Sequence, residues 1–188
     1  MTNEEHVTSC GPISPGGIES SPPGLLREPL EFLFAEHYRH RQMCRVLEHL
    51  AAAPLFDATL IATTDDFIRN DLTLHVLDEE EDLFPLLRRR CEAEDEIDDV
   101  LDRLSVDHAA DQDQARIVRT YLVAALEKKV APSTFPGCAD AFQRLARLEK
   151  NHVALENAVV MPMARRRLLA SDLEALSRSL AARRGVTL

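Results

Sequence analysis

Beyond about residue 25, apolar residues recur every three or four positions in four long stretches, the spacing of one face of an α-helix. The first stretch runs from about Pro29 to Ala53 and lines up Leu30, Leu33, Cys44, Leu47 and Ala51; AAAP closes it, because a residue before proline is pushed out of helical geometry. The second, about Phe56 to Arg90, aligns Ile61, Ile68, Leu72, Leu83 and Leu86. The third, about Asp98 to Lys129, aligns Leu101, Leu104, Ala115, Leu122 and Leu126. After the turn APSTFPG, the fourth runs from about Phe135 to Arg167 through Cys138, Ala141, Leu145, Leu148, Val159 and Met163. A last short helix is expected from Ser171, capped by a Ser171–Glu174 box, to a stop at Gly185. Long amphipathic helices joined by short connections predict an all-α, up-down-up-down four-helix bundle over 26–188. Residues 1–25, rich in Pro, Gly and Ser, are expected to form a disordered tail.

Polar residues interrupt each stripe where the pattern calls for apolar ones. His75 and Glu79 sit between Leu72 and Leu83, four residues apart and so on one helical face. His152 and Glu156 repeat the same interruption between Leu148 and Val159. His108 falls between Leu104 and Ala115, and His37 and His40 fall between Leu33 and Cys44. Height along the bundle agrees as well. His37 lies about 18 residues before the first turn and His75 about 20 after it; His108 and His152 flank the third turn at about 23 and 21 residues. One histidine from each helix therefore meets at one level. A buried carboxylate without a partner is very costly, and two facing one core repel. A cation resolves both problems, and imidazole with bridging carboxylate suits iron, with manganese or zinc as alternatives.

Composition narrows the partners. Of the 188 residues 45% are hydrophobic, enough for a core, and aromatics are only 5%, which favours helices over a β-sandwich. The net charge of −10 argues against nucleic acid and against anionic membranes. No apolar run reaches the roughly 20 residues of a membrane span, and the acidic start MTNEEHVTSC is unlike a signal peptide, so a cytoplasmic protein is expected. Cys10, Cys44, Cys91 and Cys138 are far apart and form no CxxC pair, so reduced thiols are expected, with Cys44 and Cys138 in the core and Cys10 exposed. His6 belongs to the tail, His49 points away from His37, Glu80, Glu81 and Asp82 form a solvated acidic face from which Glu80 could approach the site, and Arg165, Arg166 and Arg167 suit a helix end.

Several strings resemble the hemerythrin-like HHE cation-binding family: HVLDEEEDLFPLL and HVALENAVVMPMA, each with a proline (Pro85, Pro162) ten residues after its histidine, then AEHYRHRQM, SVDHAADQ and the closing SDLEALSRSLAARRG. The resemblance runs from about Leu30 to Gly185. It implies two iron ions bridged by Glu79, Glu156 and an oxo or hydroxo group, with His37 and His75 on one and His108 and His152 on the other. It implies binding or sensing of a small ligand such as O2, NO or peroxide, or of iron itself. A di-iron oxidase or peroxidase, and an interaction module with a structural metal, are the alternatives; the protein or redox partner stays open. Two departures stand out. Oxygen carriers have a second histidine one turn away on the third helix, where this chain has Leu104 and Gln112, which points away from oxygen storage and toward redox chemistry. His40 occupies a position that is usually apolar, as an outer group, a proton donor, an extra ligand or a core histidine bonded to a neighbour.

Overall fold

A computed structural model describes residues 17–188. Helix α1 spans Pro29–Ala52, α2 spans 58–90, α3 spans Ile97–Lys128, α4 spans 138–167 and α5 spans Ala170–Arg183. Among the described residues there is no strand. α1 lies along the first half of α4, which also packs on α3, and α3 packs on the start of α2. Pairs between α1 and α4 run in opposite order, Glu31 with Arg165, His37 with Asn157 and His40 with Glu149, so these helices are antiparallel.

The boundaries differ from the sequence expectation where turn chemistry decides. α2 begins at Ala58 because the Asp57 carboxylate accepts the Leu60 N–H at 2.9 Å. α4 begins at Cys138 rather than Phe135 because Gly137 takes a left-handed conformation, φ 81°, which glycine adopts freely. The expected Ser171–Glu174 capping box is not the one that forms. α5 starts at Ala170, and Asp172 accepts the Leu169 N–H at 3.0 Å while also pairing with Arg89 and Arg90 at the end of α2. Residues 1–16 of the expected tail, with His6 and Cys10, lie outside the described residues. The rest of that stretch is not free: Glu19 N–H donates to Gln42, Ser21 donates to Glu36, Pro23–Arg27 forms a 3₁₀ turn and Leu26 is buried. The reason is the buried acceptors Glu36 and Gln42 on α1, which take partners from it.

α2 and α4 are not uniform helices. Widened π turns occupy Phe67–Asp71, Glu79–Leu83 and Glu156–Val160, with the Phe84 N–H reaching back to the Glu79 carbonyl and the Met161 N–H to that of Glu156. Pro85 and Pro162 follow two of these turns. A proline has no N–H and its ring crowds the carbonyl four residues back, and an inserted residue accommodates both. The consequence is a change of face. Val159 and Met163, expected inward, are only partly covered, whereas Val160 and Ala164 are fully buried.

The core has three layers. One apolar cluster holds Met43, Leu47, Ile61, Leu122, Phe142 and Leu145. A second holds Leu33, Leu83, Leu87, Leu101, Leu104 and Val160, closed by Leu176 and Leu180 of α5. Between them every helix of the bundle contributes buried polar residues: Glu36, His37 and His40 from α1, His75, Asp78 and Glu79 from α2, His108 and Asp111 from α3, and Glu149, His152 and Glu156 from α4. α5 is tied to this level from outside, since Arg183 and Arg184 both pair with Asp78.

Candidate metal centre

His37, His75, Glu79, His108, His152 and Glu156 converge in the polar layer, each 6% exposed or less. Their donor atoms form two sets, His37–His75–Glu79–Glu156 and Glu79–His108–His152–Glu156, and within each set all atoms lie within 4.8 Å of one another. The two carboxylates belong to both sets and the four histidines divide between them. Glu79 and Glu156 reach this position because each opens a π turn, which places its side chain one turn below a histidine of the same helix: His75 Nε2 is 3.4 Å from Glu79 Oε1, and His152 Nε2 is 2.8 Å from Glu156 Oε1. Across the bundle His37 Nε2 lies 3.3 Å from Glu156 Oε2, and His108 Nε2 lies 3.3 Å from Glu79 Oε2. The level expected from residue counting is met, with the His37 and His75 ring centroids 5.1 Å apart and those of His108 and His152 4.5 Å apart.

The donor atoms are buried but not satisfied. His37 Nε2, both nitrogens of His75, both oxygens of Glu79, His108 Nε2 and Glu156 Oε2 have no hydrogen-bond partner. So many orphaned groups in one pocket would be very costly if nothing bound there. A cation set among them takes the lone pairs that no proton donor takes, so nitrogen and carboxylate donors here fit bound metal. Thiolate is absent from both sets: Cys44 and Cys138 are buried in the apolar layer, as expected, and burial raises both thiols, Cys138 to about 11.

Electrostatics in the metal-free pocket show the same strain. Burial drives Glu156 well above the ordinary carboxylate range, and the charge of Glu79 adds to it. Burial also opposes ionisation of Glu79, but His75, His108 and His37 outweigh it and hold that carboxyl low. One carboxylate thus stays charged at the expense of the other. His75 is driven well below the imidazole range by burial, which Glu79 opposes and the neighbouring rings of His40, His37 and His108 reinforce. Burial opposes charge on His37 and His108, but the nearby Glu79 carboxylate outweighs it and raises both.

Outer hydrogen-bond partners hold two of the four imidazoles, and a third faces a carboxylate beyond hydrogen-bond distance. His37 Nδ1 donates to Asn157 Oδ1 at 2.9 Å, His108 Nδ1 lies 2.5 Å from Glu80 Oε1, and His152 Nδ1 faces Asp111 Oδ2 at 3.8 Å. Glu80 therefore does approach the site, and it also accepts from Ser105 at 2.9 Å. Glu81 and Asp82 are not simply solvated, because both pair with Arg183 of α5. Gln112 is exposed and only borders a small cavity beside the site, with about 10 Å³ of room for the centre of a water molecule, also lined by His40, Asp111 and Glu149. His40 is buried and donates from Nδ1 to Glu149 Oε2 at 3.2 Å, outside both donor sets, and His49 is exposed as expected.

Asn157, Asp111 and Glu149 were missed from the sequence. The two acids carry a signal: Asp111 is three residues after His108, and Glu149 three before His152, each one turn from a histidine on the inward face. Burial with Glu149 as neighbour pushes the Asp111 carboxyl up to about 7. No helix among the described residues is long and apolar enough to cross a membrane.

Comparison with curated proteins finds no match. The model of the hemerythrin HHE cation-binding domain matches residues 28–164, a span that contains all six converging His and Glu residues and both π turns that present the carboxylates. On that match and on the buried His/Glu pocket it encloses, the chain belongs to the hemerythrin HHE cation-binding domain family.

Proposed function

We propose that the pocket holds two irons, His37 and His75 on one, His108 and His152 on the other, with Glu79 and Glu156 shared, and that the protein binds or senses a small species such as O2, NO, peroxide or iron itself. The observation that carries this reading is the sharing of the same two carboxylates by two complete donor sets. Such a pair of irons would supply electron exchange and a Lewis-acid position for a small ligand. The chain's own residues do the rest. The two apolar clusters keep bulk water from the polar layer. Asn157 and Glu80 fix which nitrogen of His37 and of His108 faces inward. A small cavity beside the site, with about 10 Å³ of room for the centre of a water molecule, suits a ligand of about the size of water or a diatomic.

A second reading, a di-iron oxidase or peroxidase, is favoured by Asp111. It lines that cavity, one of its oxygens is unpartnered, and its carboxyl sits near neutrality, where it can hold or give up a proton beside a bound ligand. Metal analysis combined with absorption spectra before and after air and peroxide tests both readings. Two irons per chain with a stable, reversible ligand adduct supports binding or sensing, and rapid peroxide turnover supports the enzyme. Iron well below two per chain, or zinc alone, refutes the di-iron reading.

A further inference from the structure

Two of the four converging imidazoles, His37 and His108, have a hydrogen-bonded oxygen on Nδ1, and a third, His152, faces the Asp111 carboxylate there at 3.8 Å; His75 faces no oxygen on that side. Its Nε2 turns toward Glu79, and its Nδ1 is buried with no hydrogen-bond partner. Two imidazoles pack edge to face on the ring, His37 at 5.1 Å and His40 nearer, with centroids 4.4 Å apart and planes at 67°. His40 shows the complementary defect: its Nδ1 is engaged by Glu149, and its Nε2 is buried and unpartnered. A carboxylate only accepts, so the His40 proton sits on Nδ1 and Nε2 presents a lone pair. An imidazole that binds a cation through Nε2 carries its proton on Nδ1. A ring with an orphan acceptor, His40, therefore packs on a ring with an orphan donor, His75.

We propose that Glu149 and His40 are the outer partner of His75: Glu149 orients His40, and His40 Nε2 accepts the His75 Nδ1–H once Nε2 is bound to a cation. The pair is a positioning device and not part of either donor set. It rests on the two-cation reading and adds that the two subsites are unequal. The histidine partner of the His37/His75 cation is backed through an intervening imidazole by a full carboxylate charge. A purely packing role leaves Glu149 unexplained, because a carboxylate 2% exposed, with one hydrogen-bond partner, is a poor way to fill space in this layer. Negative charge delivered to a ligand strengthens its hold on the cation and favours the more oxidised state, and loss of such outer partners costs 10–100-fold in affinity as an order of magnitude.

The test uses the full chain, metal-free, as wild type, Glu149→Gln, His40→Gln and the double variant. Each is titrated with Fe(II), and separately with Zn(II), against a competing chelator, and the reduction potentials of the iron-loaded proteins are recorded. Glu149→Gln keeps size and an acceptor oxygen but removes the charge. The expected result is two cations in the wild type, one held about tenfold or more weaker in Glu149→Gln and the other unchanged, with the potential of one iron raised. The double variant should be no weaker than His40→Gln alone, since the connection is already cut. Glu149→Gln that matches wild type, equal loss at both cations, or losses that multiply in the double variant overturns the proposal. A wild type that never takes up two cations overturns the two-cation reading and this proposal with it. Helicity and unfolding of the metal-free variants check folding; should His40→Gln not fold, the affinities and potential of Glu149→Gln alone decide.

Discussion

Glu156→Gln should make the metal-free protein more stable while weakening its hold on metal. The carboxyl is fully buried, and oxygens of Glu79 and Glu156 lie within 4.8 Å of each other. Two charges at that distance repel by about 3 kcal/mol at an effective dielectric constant of about 20. The fold escapes this by keeping Glu156 protonated, since burial and Glu79 raise it well above its ordinary 4.5. Keeping such a group protonated costs about 1.36 kcal/mol for each unit of pH above its ordinary 4.5, which is at most about 3 kcal/mol at pH 7. Either way the penalty is about the same, and glutamine removes it without changing shape. The sign follows from proton binding. A carboxyl raised in the folded state binds more protons there than in the unfolded chain, so its contribution to stability falls as pH rises through the range above 4.5. The gain in Glu156→Gln should therefore be about 3 kcal/mol at pH 7 and under about 1 at pH 5. For a chain of this length that is a midpoint shift of about 6–12 °C. Thermal and urea unfolding followed by circular dichroism, in chelator at pH 5 and pH 7, measures it. With Fe(II) present at about a thousand times the wild-type Kd the order should reverse, because binding then stabilises the wild type by about 4.1 kcal/mol, more than the variant's gain, and the variant, which holds metal more weakly, by much less. A variant no more stable than wild type in chelator at pH 7, or a gain that does not shrink toward pH 5, would refute the reasoning.

Glu79→Ala removes a donor from both sets, so metal content should fall sharply for both cations rather than for one; elemental analysis of purified protein checks it. Asn157→Leu strips the outer partner of His37 and should weaken one cation by about 10–100-fold with little change in helicity, read by chelator competition. Asp172→Ala should cost about 3 kcal/mol, about 1 from the lost cap and about 2 from its bonds to Arg89 and Arg90. Arg90, with Arg89 and the Leu169 N–H, holds the Asp172 carboxyl below its usual range. That stabilisation is present above the ordinary carboxylate pKa and is lost as pH falls, so Asp172→Asn should flatten the acid side of the stability curve.

Local pattern alone determined much of this protein. The period of apolar residues specified four helices and their order, because an amphipathic helix has one way to bury its stripe. The interruptions of that stripe located His37, His75, Glu79, His108, His152 and Glu156, since polar residues on an inward face are too costly to be accidental. Counting from the turns placed the histidines at one height, because helical rise is constant. What tertiary structure decided lies where a side chain's neighbour comes from another helix. Asn157 as partner of His37, Glu149 as partner of His40 and Asp111 facing His152 are more than 40 residues away in the chain, and no local period records such a pairing. The π turns at Glu79 and Glu156 lie between the two cases. Pro85 and Pro162 mark them in the sequence, but that the extra residue turns Val160 and Ala164 inward in place of Val159 and Met163 depends on which face the rest of the bundle covers. The division of the six donors into two sets sharing two carboxylates is likewise a property of packing, because it depends on distances among four helices and not on spacing within any one.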